Sequence, residues 1–201
     1  ETGAWIGYGE AARADFPVRH LGDGDRIALG DVVLDVMATP GHTPESISVL
    51  VYAHADDEVP YGVLTGDALF IGDVGRPDLR ASLGWSAASL GSLLYDSLQH
   101  KLLALPDDTR LFMCHDYPPE GRGPAWETTV RAQRAGNIHV RDGIGADSFV
   151  EMRTARDRTL GHRRVMVEHV EQQAKPGRRR AEFRLEPDQP AEHAVLRVVV
   201  H

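Results

Sequence analysis

Leu64-Thr65-Gly66-Asp67-Ala68-Leu69-Phe70-Ile71-Gly72-Asp73-Val74-Gly75-Arg76-Pro77-Asp78-Leu79 is the stretch on which the reading of the fold turns. An apolar run that begins at Tyr61 stops at Gly66, and an acidic side chain, Asp67, stands just beyond the stop. Two other segments share this design. Val36-Met37-Ala38-Thr39-Pro40-Gly41-His42-Thr43 ends an apolar run in a histidine, and so does Leu111-Phe112-Met113-Cys114-His115-Asp116-Tyr117. Proline stiffens the approach to His42 and glycine permits a sharp turn, a geometry that lifts a side chain off a strand end. Each segment alone is weak, because a single loop histidine is ordinarily polar surface and a Gly-Asp pair is common in turns. Together they are far more specific. Two imidazoles and a carboxylate on three strand ends suit zinc or iron. A 2-His-1-carboxylate face leaves open positions on Fe(II), whereas zinc points to hydrolysis. No His-x-His pair occurs in the sequence, so the cage these residues make is incomplete.

Outward from these segments, the period of the apolar residues changes twice. Arg26 to Leu29 and Val32 to Ala38 flank Gly30-Asp31, which predicts a hairpin. Ile47 to Tyr52 and Tyr61 to Thr65 read as further strands, and Ala4 to Tyr8 is a short apolar run. Between Ser86 and Leu105, Leu90, Leu93, Leu94, Leu98 and Leu102 recur at helical spacing. Ser86 or Ser89 is placed to cap this helix, and Pro106 follows its end. Thr109 to Met113 returns to strand. Thr128 to Ala135 reads as a short helix stopped by Gly136-Asn137. Ser148-Phe149-Val150-Glu151 matches a capping box opening a helix to about Thr159. A last strand is expected over Ala194 to Val200, after a linker or lobe from Lys175 to Pro190. Strands, then a helix, a strand and helices predict an α/β chain with helices on the outer faces of sheets.

Bulk properties narrow the function classes. At 201 residues the chain is long enough for one domain with a sizeable core. Its 42% hydrophobic and 26% charged residues are those of a globular protein. A net charge of −8 argues against a general nucleic-acid or anionic-membrane binder, and the Arg178-Arg179-Arg180 run reads as a solvated loop. Cys114 is the single cysteine, which excludes an internal disulfide and fits the cytoplasm. No membrane span or signal core is present in the sequence. Arginine outnumbers lysine twenty to two, a composition that fits a GC-rich bacterial genome.

Other candidates carry less. Gly72 to Asp78 is no phosphate loop, since it lacks the lysine and the following helix. It can place Arg76 as a carboxylate clamp, or close Arg76 on Asp78 in a structural turn. Asp116 is either an orienting partner for His115 or a loop charge. Cys114 reads as a buried strand-end thiol.

Thr39-Pro40-Gly41-His42-Thr43, Thr65-Gly66-Asp67 and Cys114-His115-Asp116-Tyr117 resemble, in order, the later ligand motifs of the metallo-β-lactamase superfamily. Leu64 to Leu79, together with Leu94-Tyr95-Asp96-Ser97-Leu98, is similar to the persulfide dioxygenase branch, which is related to glyoxalase II. The resemblance covers residues 1 to 160, the expected later portion of a metallo-β-lactamase-like domain, and leaves 161 to 201 as a divergent extension. It implies an αββα sandwich, here N-terminally incomplete, because the T-H-x-H-x-D-H motif would precede residue 1. It implies mononuclear Fe(II) on His42 and Asp67, with His115 beside the iron, or Zn(II) with His115 as a further ligand. Arg76 and Tyr117 match positions facing the glutathione part of the substrate, and Thr43 is placed with them. The implied activity is oxidation of glutathione persulfide to sulfite. A glyoxalase II-like thioester hydrolase and a truncated, non-catalytic domain are the alternatives. A small thiol or persulfide is the expected partner, and a homodimer is admitted.

Overall fold

The computed structural model describes residues 4–78 and 84–159. Its elements run in chain order as β1 (Gly7–Gly9), β2 (Arg19–Leu21), β3 (Arg26–Leu29), β4 (Val32–Ala38), β5 (Ile47–Tyr52), β6 (Gly62–Leu64), β7 (Leu69–Phe70), β8 (Asp73–Val74), α1 (Ala87–Ser97), β9 (Arg110–Phe112), β10 (Glu127–Thr129), α2 (Val130–Gly136) and α3 (Ala146–Thr159). Six strands form the main sheet in the order β10-β9-β6-β5-β4-β3, and β1-β2 and β7-β8 form two small pairs. The expected extension, linker and last strand beyond residue 160 lie outside the described residues.

The sheet's register follows from alternation of side chains across a pleated strand. Leu50 lies opposite Val63, and Val63 lies beside Leu111. All three belong to one core with Leu94, Leu98, Leu102 and Phe149 from the helical layer. Val36 and Val49, paired across β4 and β5, are buried as well, so the centre of the sheet is covered on both faces.

The leucine ladder Leu90, Leu94, Leu98, Leu102 is fully buried. Strict four-residue spacing drifts around an ordinary helix of 3.6 residues per turn. The chain corrects this by widening to a π-helical segment over Leu98–Leu102, closed by Leu103 N–H on the Leu98 carbonyl at 2.8 Å. Ser86 caps the start of α1 by accepting from the Ser89 N–H. Each buried leucine is worth roughly 1.5–3 kcal/mol of transfer free energy.

Two sequence expectations shift. The helix expected from Thr128 begins at Val130, because Glu127–Thr129 pairs antiparallel with β9 and Thr129 serves as its cap. The supposed capping box at Ser148 lies inside α3, which already starts at Ala146. Phe149 N–H reaches back to the Gly145 carbonyl at 3.0 Å. The β7–β8 hairpin and β2 carry too few residues for a period to be read, and only their pairing defines them.

Candidate metal centre

Four strand ends are tied together by buried hydroxyls just below the loops of interest. Thr65 Oγ1 lies 3.0 Å from the Leu69 carbonyl and 3.2 Å from the Phe112 carbonyl. Ser48 Oγ donates to the Thr65 carbonyl at 3.1 Å. Its one proton is thereby spent, so Thr39 must donate across the 3.0 Å contact between their oxygens. Thr39, Ser48 and Thr65 are all buried, and this bracket fixes where β4, β5, β6 and β9 release their loops.

The His42 loop is further held from α1. Ser97 Oγ donates to the Pro40 carbonyl at 2.8 Å. Gly41 has φ 142°, and any Cβ there would collide with the backbone of Leu94. Glycine is required on both counts. His42 Nδ1 lies 3.0 Å from the Arg76 carbonyl. A carbonyl only accepts, so Nδ1 carries the proton and Nε2 presents its lone pair. That Nε2 stands 3.7 Å from Asp67 Oδ2.

The other oxygen of the same carboxylate meets the third strand end. His115 Nε2 is 3.4 Å from Asp67 Oδ1, and the Cys114 thiol donates to Oδ1 at 2.9 Å. Ligand atoms of Asp67, Cys114 and His115 all lie within 4.8 Å of one another. The expectation of a buried Cys114 is therefore corrected. The chain bends after Met113, and Cys114 is exposed, with its sulfur turned toward Asp67. Crowding around the sulfur and the adjacent Asp67 charge push the thiol's pKa well up. Spacing gave no hint of this, because neighbouring residues on a strand point to opposite faces and only the bend brings Cys114 and His115 to one carboxylate.

Asp116 does not orient His115. Arg122 Nη1 donates to it at 3.0 Å and Ala125 N–H at 2.8 Å, so it anchors its own loop. Tyr117 is largely exposed and sits edge-on to Phe70, with ring centroids 5.4 Å apart. Phe70 also meets the His115 ring at 6.1 Å, so Phe70, His115 and Tyr117 line one wall beside the cluster. Thr43 Oγ1 is 2.9 Å from Ser46 Oγ, within the turn that follows His42. Arg76 closes its fork on Asp78 through Nε at 3.0 Å and Nη2 at 2.8 Å, as in the structural alternative for this turn. The cluster thus unites His42, Asp67, Cys114 and His115, with Tyr117 on its wall, while Thr43 and Arg76 are engaged locally.

The crystal structure of a metallo-β-lactamase from Staphylococcus aureus is similar in fold to this chain, with a TM-score of 0.64 and 29% identity, over 74% of this chain and 45% of that one. A probable metallo-hydrolase of Burkholderia pseudomallei is 43% identical over 164 residues, 80% of this chain and 53% of that protein. The chain belongs to the metallo-β-lactamase superfamily. Within it, the mitochondrial persulfide dioxygenase ETHE1 of Homo sapiens is 34% identical over 106 residues, 53% of this chain and 35% of that protein. The chain spans about half or less of the length of the curated relatives it matches. No family model matches it.

Metallo-β-lactamase relatives imply a divalent metal. The donor set fits one. His42 meets one oxygen of Asp67, and His115 and Cys114 meet the other; imidazole, carboxylate and sulfur groups are the donor types of a transition-metal site. Among the described residues no helix is long and apolar enough to cross a membrane.

Proposed function

We propose that this chain forms part of a persulfide dioxygenase-like enzyme that oxidises glutathione persulfide with O2. The observation that carries this reading is the commitment of His42 Nδ1 to the Arg76 carbonyl, which turns Nε2 toward Asp67 Oδ2. This pair is the chain's own share of a facial N,O site for Fe(II). Bound there, Fe(II) supplies affinity for sulfur and one-electron chemistry toward O2. The net reaction is RSSH + O2 + H2O giving RSH, sulfite and two protons, so the terminal sulfur is oxidised and O2 is reduced.

The chain's residues have separate tasks in this reading. His42 and Asp67 hold the metal. His115 stands over Asp67 Oδ1 and stacks edgewise with Phe70. Phe70 and Tyr117 give the substrate an aromatic wall and a hydroxyl. Arg76 contributes positive charge, and a substrate carboxylate engages its fork only by displacing Asp78. Thr43 is the remaining substrate contact in this reading.

A second reading is favoured by a distinct observation. Each oxygen of Asp67 faces its own imidazole, His42 at Oδ2 and His115 at Oδ1. In a thioester hydrolase, His42, Asp67 and His115 would hold zinc, which would supply a hydroxide for attack on the thioester carbonyl. Glutathione persulfide and S-lactoylglutathione, supplied separately to the complete gene product, decide between them. Oxygen uptake with sulfite release on the first substrate and no cleavage of the second is expected. Thioester cleavage without oxygen uptake would replace the oxygenase by the hydrolase.

A further inference from the structure

The segment from Gly72 to Asp78 has two sides. One side meets the donor cluster. Gly75 donates its N–H to the Ala68 carbonyl at 3.1 Å. Any Cβ on Gly75 would strike the Asp67 carbonyl and stand 3.1 Å from His42 Cβ, so the backbone passes directly behind both side chains. The next residue, Arg76, provides the carbonyl that takes the His42 Nδ1 proton.

The other side meets α3, about eighty residues later in the sequence. Asp73 Oδ1 accepts from Arg153 Nη1 at 3.2 Å, and Oδ2 accepts from Arg156 Nη2 at 2.8 Å. Arg153 Nη2 continues to Asp157 Oδ1 at 2.7 Å. That same oxygen lies 4.0 Å from Arg76 Nε. Asn137 Nδ2 holds the Asp73 carbonyl at 3.0 Å, and Gln133 Oε1 holds the Gly72 N–H at 3.3 Å. Arg153 is 2% exposed and Asp157 4%. Phe149 already anchors α3 in the core through Tyr95, at 5.5 Å. A buried ionic network is a poor source of stability compared with apolar packing, so its value here is geometric.

We infer that Asp73, Arg153 and Asp157 are positioning residues for the His42 imidazole. The network clamps residues 72–78 from the α3 side, and the clamped backbone aims the ring through the Arg76 carbonyl. The inference rests on the reading of His42 as a metal ligand. Partners that hold a ligating imidazole through its other nitrogen matter to metal affinity by about 10- to 100-fold. Arg153 and Asp157 act through two intermediates, so the low end of that range applies.

The test uses Asp73→Asn in the full chain, which preserves shape but removes the charge that Arg153 and Arg156 grip. Zn(II) binding is followed by titration calorimetry, and the His42 Nδ1–H by its solvent exchange in ¹⁵N-histidine NMR spectra of the metal-free chain. The expected result is about tenfold weaker Zn(II) binding with faster Nδ1–H exchange. Glu127→Gln, which opens an ion pair away from this segment, should leave both readings unchanged. If Asp73→Asn does not fold, Asp157→Asn is read instead, with the same expected signs. A folded variant with unchanged Nδ1–H exchange overturns the inference. A wild-type chain that binds no Zn(II) speaks against the ligand reading, and the exchange measurement still decides the positioning role.

Discussion

Two clusters of ionisable side chains lie on either side of residues 72–78, and they are built on opposite principles. In the α3 cluster every carboxylate meets a guanidinium: Asp73 meets Arg153 and Arg156, Asp157 meets Arg153, and Asp78 meets Arg76. In the metal-facing cluster Asp67 meets two imidazoles and a thiol. The first group is neutralised from within. The second sets one carboxylate between imidazole and sulfur groups, with no guanidinium against it among the described residues. The contrast separates a cluster that neutralises itself from one whose donor types suit a cation, since proximity of titratable groups is common to both.

Breaking the internally paired cluster should have the largest effect. Arg153→Met leaves Asp73 and Asp157 short of a buried partner and should cost about 3–5 kcal/mol, read from chemical denaturation. A loss comparable to that of a surface pair would mean that the network is not closed in solution.

The pH dependence of stability sharpens the same contrast. Burial pushes the Asp73 carboxyl up, but hydrogen bonding from His139 and the Val74 N–H together with the Arg156 charge outweighs it, leaving its pKa below the ordinary carboxylate range. Asp78 is likewise held low, because Arg76 overcomes the effect of burial. Carboxylates with depressed native pKa values stabilise the fold above their unfolded values, near pH 4, and lose that contribution as pH falls through the native values. Burial acts oppositely at Asp157, where it exceeds the pull of Arg153 and raises the pKa. Protonation of Asp157 therefore favours the native state in the window between its unfolded and native values and partly offsets the acid loss. Melting temperature measured from pH 7 down to pH 3 should fall toward acid, with a shallower fall in Asp73→Asn.

The smallest change in stability is expected at Asp67. Without metal, Asp67→Asn should alter stability by no more than about 1 kcal/mol, because the carboxylate lacks an internal counter-charge to lose. Added Zn(II) should raise the melting temperature of the wild type and not of the variant. A large loss in the metal-free variant would show that Asp67 is a structural carboxylate like Asp73.

The sequence by itself determined the strands at Arg26–Leu29, Val32–Ala38 and Ile47–Tyr52, because alternation and a Gly-Asp turn act over a few residues. It also determined the leucine ladder, and it singled out His42, Asp67 and His115, which the fold brings together, since each lies just beyond an apolar run. The order of motifs was enough to indicate the superfamily. Tertiary structure alone decided the rest. The bend that turns Cys114 toward Asp67 depends on how β9 leaves the sheet. The shared carboxylate of His42 and His115 depends on strands from distant parts of the chain meeting at one edge. Arg153 and Asp157 are four residues apart on α3, but Asp73 stands 80 residues before Arg153, and no local period relates charges that far apart. They meet because α3 packs its Phe149 face onto the core, which brings its arginines to the back of the segment that holds His42.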